Sequence, residues 1–379
     1  VRVSGSGANV GALAGTNRGS ISGCYSMGSV SGSEFVGGLV GNSQSQGWYG
    51  AETTRACITS SHCGATVSGD RWVGGLVGIN NGDIMQCHSV TLVSGRETVG
   101  GLVGDNSGEG NIVQCYARST VDANDLGGGL VGVNAGYGGY WGPGWPAMIS
   151  NCYSTVGEGS RVAGLLVGKN GASGWGHGPS RPGYVENCYA RCDGTVTGES
   201  IELVGIYSDW YGGSILNSFW DAQACGVSEN VQGGTPKTTA EMQDPMTFLS
   251  WGTCGNEGTW VLDEGRDYPH LWWEDRPGLP IQYRLSDFLE GQGTPESPYV
   301  VNTREDLYVT THFTCDQDGH FRLGFLAGFG TADEPYLIYT VDELQLLGNC
   351  PYELGSHFRL MADLDLSGIT FPGAVIPVF

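Results

Sequence analysis

Lysine is nearly missing from this chain. Only Lys169 and Lys237 occur in 379 residues, and 17 basic residues face 39 acidic ones, a formal net charge of −22. A surface this acidic repels nucleic acid and anionic lipid, so neither is an expected partner. Long apolar runs are missing too. No stretch approaches the roughly 18 residues of a membrane-spanning helix, so no membrane insertion is expected. His-Glu-x-x-His does not occur, which excludes that zinc-peptidase site, and no Cys-x-x-Cys pair suggests bound zinc. There is no Gly-x-Ser-x-Gly elbow, and the glycine runs lead into strands rather than helices, so a phosphate loop is excluded. The seven histidines are scattered, and His88 reads as a packed neutral ring. No catalytic residue, metal ligand or cofactor is assigned. The acidity leaves calcium open, at Asp363 and Asp365 or at the turn of Glu264 and Asp267.

Glycine is in excess instead, at 66 residues without a Gly-X-Y period, which rules out collagen. Apolar residues make up 40%, enough for a core. Gly-Leu-Val-Gly recurs at 38–41, 75–78, 101–104 and 129–132, with looser copies at 11–15, 164–168 and 202–205. After each comes a polar stretch and then Cys, an aromatic and a small residue: Cys24-Tyr25-Ser26, Cys87-His88-Ser89, Cys115-Tyr116-Ala117, Cys152-Tyr153-Ser154 and Cys188-Tyr189-Ala190. Ser61-His62-Cys63 and Ser218-Phe219-Trp220 fill the same place with serine first. The unadorned period is about 26 residues, the length of one coil of a stacked solenoid.

One coil cannot bury its own apolar face, but stacked coils can, each strand pairing in parallel with its copy about 4.8 Å away. The expected fold class is therefore all-β: a parallel β-helix of about seven rungs, then a small α+β C-terminal region. Identical positions then form ladders. Cys24, Cys87, Cys115, Cys152 and Cys188 are expected as an inward row of small, buried, reduced side chains. Asn17, Asn42, Asn80, Asn106, Asn134 and Asn170 are expected at a turn, tolerating positive φ and bonding the amide above and below. Cys57, Cys63, Cys192, Cys225, Cys254, Cys315 and Cys350 lie off the ladder and are the disulfide candidates, with Cys315–Cys350 first and Cys57–Cys63 second.

Val-Gly-Gly-Leu-Val-Gly-x-Asn followed by Ile/Val-x-Cys-Tyr-Ser resembles the GLUG-motif repeats of bacterial surface proteins, found in adhesin-like and haemagglutinin-like proteins and beside some immunoglobulin-A-cleaving metallopeptidases. The resemblance spans roughly residues 1–235. "NSFWDAQACG" (217–226), "GGTPKTTAEM" (233–242) and "DYPHLWWE" (267–274) are similar to the segment that ends such arrays in large secreted proteins of planctomycete-type bacteria. The resemblance implies a secreted or cell-surface structural or adhesive protein and names no catalytic residue.

Three regions follow: a solenoid at 1–235, a terminator at 236–275 and a duplicated unit at 276–379. Thr238 and Glu241 form a capping box opening a short helix with Met242, Met246, Phe248 and Leu249 on its apolar side. Trp260, Tyr268, Trp272 and Trp273 are expected to cover the last rung's open edge. "GTPESPYVVNTREDL" (293–307) matches "GTADEPYLIYTVDEL" (330–344), and His320-Phe321-Arg322-Leu323 matches His357-Phe358-Arg359-Leu360, both at an offset of 37. The copies lie near 291–323 and 328–360, each read as strand, helix capped at Thr303 or Thr340, and strand. In the GLUG-type proteins such a segment resembles the start of a solenoid.

The glycine-to-cysteine distance is 9, 9 and 11 in rungs one, three and four but 20 in rungs two, five and six. The inserts leave one corner of the coil and gather Trp48, Tyr49, Tyr140, Trp141, Trp145, Trp175 and Tyr184 there, with Trp210 and Tyr211 nearby. Loops shielding their own flank, a contact surface for another subunit and a sugar-stacking platform all stay open. The functional expectation is an extracellular structural or adhesive solenoid, its partners being copies of itself joined head to tail. The alternative is a β-helix that binds or cleaves extracellular glycan. Val1 is not an initiator residue, so a leader removed on processing or residues encoded upstream are expected.

Overall fold

A computed structural model describes residues 1–45, 54–137, 146–173, 182–198, 202–207, 213–227, 233–252, 258–312, 320–348 and 356–364. The chain divides into two compact units, Val1–Asp244 with Asp263–Asp275 and Pro245–Leu262 with Arg276–Phe379. The segment 236–275 is thus shared between them.

The first unit is a parallel β-helix with four walls. One wall carries the residues after the cysteine position, among them Tyr25–Ser31, His62–Ser68, Tyr116–Ala123, Tyr153–Gly157 and Tyr189–Asp193. The second holds the Val-Gly strands, such as Glu34–Gly37 and Arg71–Gly74, and the third runs on from the motif as Val40–Gln44, Val77–Asn81, Val103–Gly108, Val131–Tyr137 and Val167–Ser173. The fourth precedes the cysteine, as in Cys57–Thr59, Asp83–Met85 and Asn111–Val113. Every rung-to-rung pairing is parallel and in register, so Val40, Val77, Val103, Val131, Val167 and Val204 line up along one row. With the row of Leu39, Leu76, Leu102 and Leu130 and the row of Ile58, Ile84, Ile112 and Ile149, all fully buried, they fill the interior. Burying each such side chain contributes about 1.5–3 kcal/mol.

The double glycine has a packing reason. A Cβ on Gly37, Gly74, Gly100, Gly128 or Gly164 would run into the carbonyl oxygen of the valine three residues on. A Cβ on Gly75 or Gly101 would meet the backbone oxygen of the next rung's glycine, Gly101 or Gly129. The corner is therefore so tight that only glycine fits. Leu76 O closes it by accepting from both Leu39 N (2.9 Å) and Val40 N (3.1 Å), a pattern repeated by Leu102 and Leu130.

A second corner stands just before the cysteine position. Gly23, Ser60, Gln86, Gln114, Asn151, Asn187 and Asn217 all have φ between 46° and 61°. Left-handed backbone was expected at the asparagines after the glycine motif; those asparagines lie instead inside strands. Asn42 also falls one place off the row, since Ser43 is the partner of both Asn17 and Asn80.

The two ends differ. Beyond the last rung, Asp221 caps the helix Ala222–Cys225 by accepting from Ala224 N at 2.7 Å. Ala222, Cys225 and Val227 pack on the core above the fully buried Trp220, and Thr235–Lys237 adds a strand to Phe219–Asp221. This helix and strand cover the last rung, where the aromatics of 260–273 had been expected. At the first rung, Leu13 is 52% exposed and Tyr25 67%, and Ile21 and Cys24 are only half-buried, whereas Leu39, Ile58 and Cys87 further along are fully buried.

The Thr238–Glu241 box forms, with Thr238 N to Glu241 Oε2 at 2.8 Å and Glu241 N to Thr238 Oγ1 at 3.2 Å. It opens only the 3-10 turn Glu241–Gln243, not one continuous helix. Met242 is buried in the first unit, while Phe248 and Leu249 are buried in the second, in Pro245–Gly252.

In the second unit the duplication forms two strand–helix–strand repeats. Tyr299–Val301 pairs in parallel with Phe321–Leu323 around the helix Arg304–His312, and Tyr336–Ile338 with Phe358–Leu360 around Val341–Gly348. Thr303 caps its helix by accepting from Asp306 N at 3.0 Å, and Thr340 does so from Glu343 N at 3.2 Å. Tyr336 Oη accepts from Leu323 N at 3.1 Å and joins the two copies.

Gly100→Ala is expected to lower stability at the upper end of about 1–3 kcal/mol, because backbone must give way. Gly19→Ala, where a Cβ meets nothing within 4 Å, should be neutral. Urea unfolding of both variants checks the contrast.

Candidate functional site

Three polar or aromatic columns run along the first unit. The asparagine column is buried in the wall that follows the motif. Asn80 Nδ2 donates to Asn106 Oδ1 at 2.9 Å, Asn106 to Asn134 and Asn134 to Asn170 at 2.8 Å each. Asn17 donates to Ser43 Oγ at 3.4 Å. Asn80 and Asn106 also satisfy their own corners, Nδ2 donating to Gly82 O and Gly110 O. The column ends where Tyr207 stands in register with Asn170.

The cysteine column is a chain of thiols. Cys87, Cys115, Cys152 and Cys188 are fully buried and Cys24 half-buried. Each buried sulfur donates to the carbonyl two residues back, at 3.1–3.2 Å. Cys87, Cys115 and Cys152 each accept a backbone N–H from the rung before, all at 3.4 Å. Ser61 and Ser218 do the same work with a hydroxyl, accepting from Cys24 N and Cys188 N at 3.1 Å. Burial pushes the Cys87 and Cys152 thiols well above their ordinary value.

One disulfide is present among the described residues, Cys192–Cys225, with Cα atoms 5.0 Å apart. It pins the capping helix to the sixth rung and suits an oxidising compartment. The expected Cys57–Cys63 bridge is not formed. Ile58 points inward, so Cys57 faces out, and after the left-handed corner at Ser60 Cys63 points into the core, in register with Ser26 and Ser89. Cys315, Cys350 and Cys254 lie outside the described residues.

The aromatic column stands on the outside of the first wall. Tyr25, His62, His88, Tyr116, Tyr153 and Tyr189 stack face to face, with centroids 4.8–5.3 Å apart. The segment 263–275 lies along this column. Trp273 covers His88 and Tyr116, at 5.9 and 5.5 Å, and Tyr268 stacks on Tyr189 at 6.3 Å. Polar contacts fasten it. The nearly buried Glu274 accepts from Arg118 Nη2 and from Tyr153 Oη, both at 2.8 Å. Tyr189 Oη donates to Pro269 O, and Tyr268 Oη to Asp221, both at 2.6 Å. Burial works against the Arg118 charge, but Tyr153 and Glu274 outweigh it and hold its pKa above the ordinary value. Trp272 stays 54% exposed. Burial, helped by the charges of His62 and Arg118, lowers the His88 pKa to about 4.

Of the aromatics expected at the decorated corner, Tyr184 is half-buried in a wall strand, in register with Met148 and Ser214. Trp48, Tyr49, Tyr140, Trp141, Trp145, Trp175, Trp210 and Tyr211 lie outside the described residues. No cluster of three or more His, Cys, Asp or Glu side chains could hold a metal among the described residues, and Asp365 falls outside them. A cleft of about 350 Å³ lies beside Asn124, Asp125, Arg161 and Thr197, where the Val-Gly wall stops after Leu126–Gly128. Arg161 there is bound to Asp122 at 2.8 Å.

Comparison with known proteins found no matching family model, curated protein or solved structure. The likeness to GLUG-motif repeats therefore rests on the residues quoted above.

Two outcomes test the columns. As pH falls from about 6.5 towards about 4, the unfolded His88 takes up a proton that the folded ring resists, so stability is lost across that window. Thermal melts should show His88→Phe losing less stability than the parent over this range. Cys115→Val leaves the buried Cys87 N–H unpaired and should cost about 1–3 kcal/mol. Cys115→Ser keeps the acceptor and should cost less, which chemical denaturation can rank.

Proposed function

We propose that this chain is an extracellular structural or adhesive β-solenoid. The observation that carries this reading is the in-register stack of repeated rungs, built on the GLUG-type motif and pinned by a disulfide. The last rung is closed by a capping helix, a disulfide and a buried tryptophan. No helix among the described residues is long and apolar enough to cross a membrane, and the disulfide fits export.

A head-to-tail array of copies would have to use a surface other than the closed last rung. The GLUG-type motifs support the same placement at a cell surface. Antibodies raised against the purified chain, used on fractionated source cells and in immunogold microscopy, test the reading. The expected result is labelling of the surface or extracellular material, in species heavier than one chain. A single-chain species confined to the cytosol would overturn it.

A further inference from the structure

Three walls of the stack run on to the seventh rung, but the Val-Gly wall keeps its ladder only to the fifth. The sequence gives a reason. Val10, Val36, Val73 and Val99 form a buried row in register along this wall. Gly127 takes the next place in that row, opposite Val99. Ala163 follows it, one residue before Gly164, which pairs with Gly128. The row thus loses its bulk over two successive rungs. In the seventh rung Ile201-Glu202 precedes Leu203-Val204, where earlier rungs have the double glycine. A Cβ on Gly128 or Gly164 would run into the carbonyl oxygen of the valine three residues on. Only glycine meets that demand, so the regular ladder stops after Leu126–Gly128.

The break leaves the cleft of about 350 Å³ beside Asn124, Asp125, Arg161 and Thr197. That volume falls among small-molecule sites, which span about 300–1,000 Å³. Its polar groups keep unused hydrogen-bonding capacity. Arg161 donates to Asp122 Oδ1 through Nε and Nη2, and to Asn124 Oδ1 through Nη2, so Nη1 stays free among the described residues. Asn124 therefore spends its oxygen and keeps its amide donors. Asp125 is exposed and has no ion-pair partner among the described residues. Thr197 Oγ1 donates to Ser160 O at 3.2 Å and keeps its lone pairs. Val162, Ala163 and Ile206 supply the apolar lining.

We propose that this cleft binds a neutral sugar unit of an extracellular glycan. A hydroxyl both donates and accepts. The cleft sets donors on Arg161 and Asn124 beside acceptors on Asp125 and Thr197, as a ring carrying several hydroxyls requires. The C–H groups of that ring pack against Val162, Ala163 and Ile206. Charge selects against other ligands. Asp122 already matches Arg161, so Asp125 leaves one carboxylate unmatched, on a chain of net charge −22. Phosphate, sulfate and uronate groups are repelled there. The inference rests on the adhesive reading and names the class of ligand and the place that holds it. Along the rest of this wall the buried valines occupy the corresponding corner, so the repeat provides one such site and not a row of them.

The test presents the fluorescently labelled full chain to an array of glycans. Neutral glycans ending in glucose, mannose, galactose or fucose stand beside sialylated, sulfated and uronate-bearing ones. The strongest neutral binder is then titrated as a free trisaccharide by calorimetry. The expected result is saturable one-to-one binding of a neutral glycan, little changed by salt. Asp125→Ala should weaken it at least about ten-fold, the value of one hydrogen bond to a charged group. Ile206→Ser should weaken it as well. Asp125 is exposed and Ile206 is 43% exposed, so both variants should melt with the parent. No neutral glycan bound, preference for an acidic glycan, or equal binding by Asp125→Ala would each overturn the inference. A surface-located protein that binds no neutral glycan sinks this inference alone. A cytosolic single chain that binds one through Asp125 sinks the extracellular reading alone.

Discussion

Stacking in register at the parallel-strand spacing of about 4.8 Å is the constraint on which the first unit depends. It forces every side chain to live beside its own copy, so only residues that tolerate a copy of themselves can repeat. Valine, leucine and isoleucine do so by packing. Asparagine does so because one amide is both donor and acceptor, and a thiol or hydroxyl because it accepts a backbone N–H from one rung while donating within its own. Charges do not tolerate it, and here residues of opposite sign meet across rungs. Arg71 stands in register with Glu34 and bonds Glu97 at 2.5 Å, Arg55 bridges Asp83 and Glu109, and Arg96 meets Asp70. These exposed pairs add little stability individually; their effect is to keep like charges from being stacked.

Most of the stack was legible because repetition amplifies weak signals. A single Gly-Leu-Val-Gly says little, but its recurrence ahead of Cys-aromatic-small specifies strands, walls and the thiol row. The duplication at offset 37 was legible for the same reason, with Thr303 and Thr340 as matching caps. Features that occur once were not legible. Cys192 and Cys225 stand 33 residues apart at no repeated position, so nothing distinguished them among the off-ladder cysteines. The segment 263–275 carries an aromatic cluster that reads as a lid on the stack's end. Its place along the side is decided by Glu274 reaching Arg118 and Tyr153, a long-range contact that local pattern does not encode.

The asparagine row shows a subtler failure. Asparagine tolerates left-handed backbone, so a turn was the natural expectation. The real left-handed corner is held by Ser60, Gln86, Gln114 and three asparagines. Its sequence signal was the position, one residue before each cysteine, rather than the residue type. Rung stacking imposes that conformation even on glutamine, which adopts it reluctantly.

The fastening of segment 263–275 also bears on how the molecule comes apart. In a plain stack each coil touches only its neighbours, so fraying can creep inward from either end at small cost per step. Here one strand of chain ties His88 and Tyr116 in the middle to Tyr189 and Asp221 near the end. Coils from the third onward are laced together by this segment, and the second is tied past its neighbour to the fourth by Arg55 and Glu109. Local opening free energy therefore rises steeply along the axis.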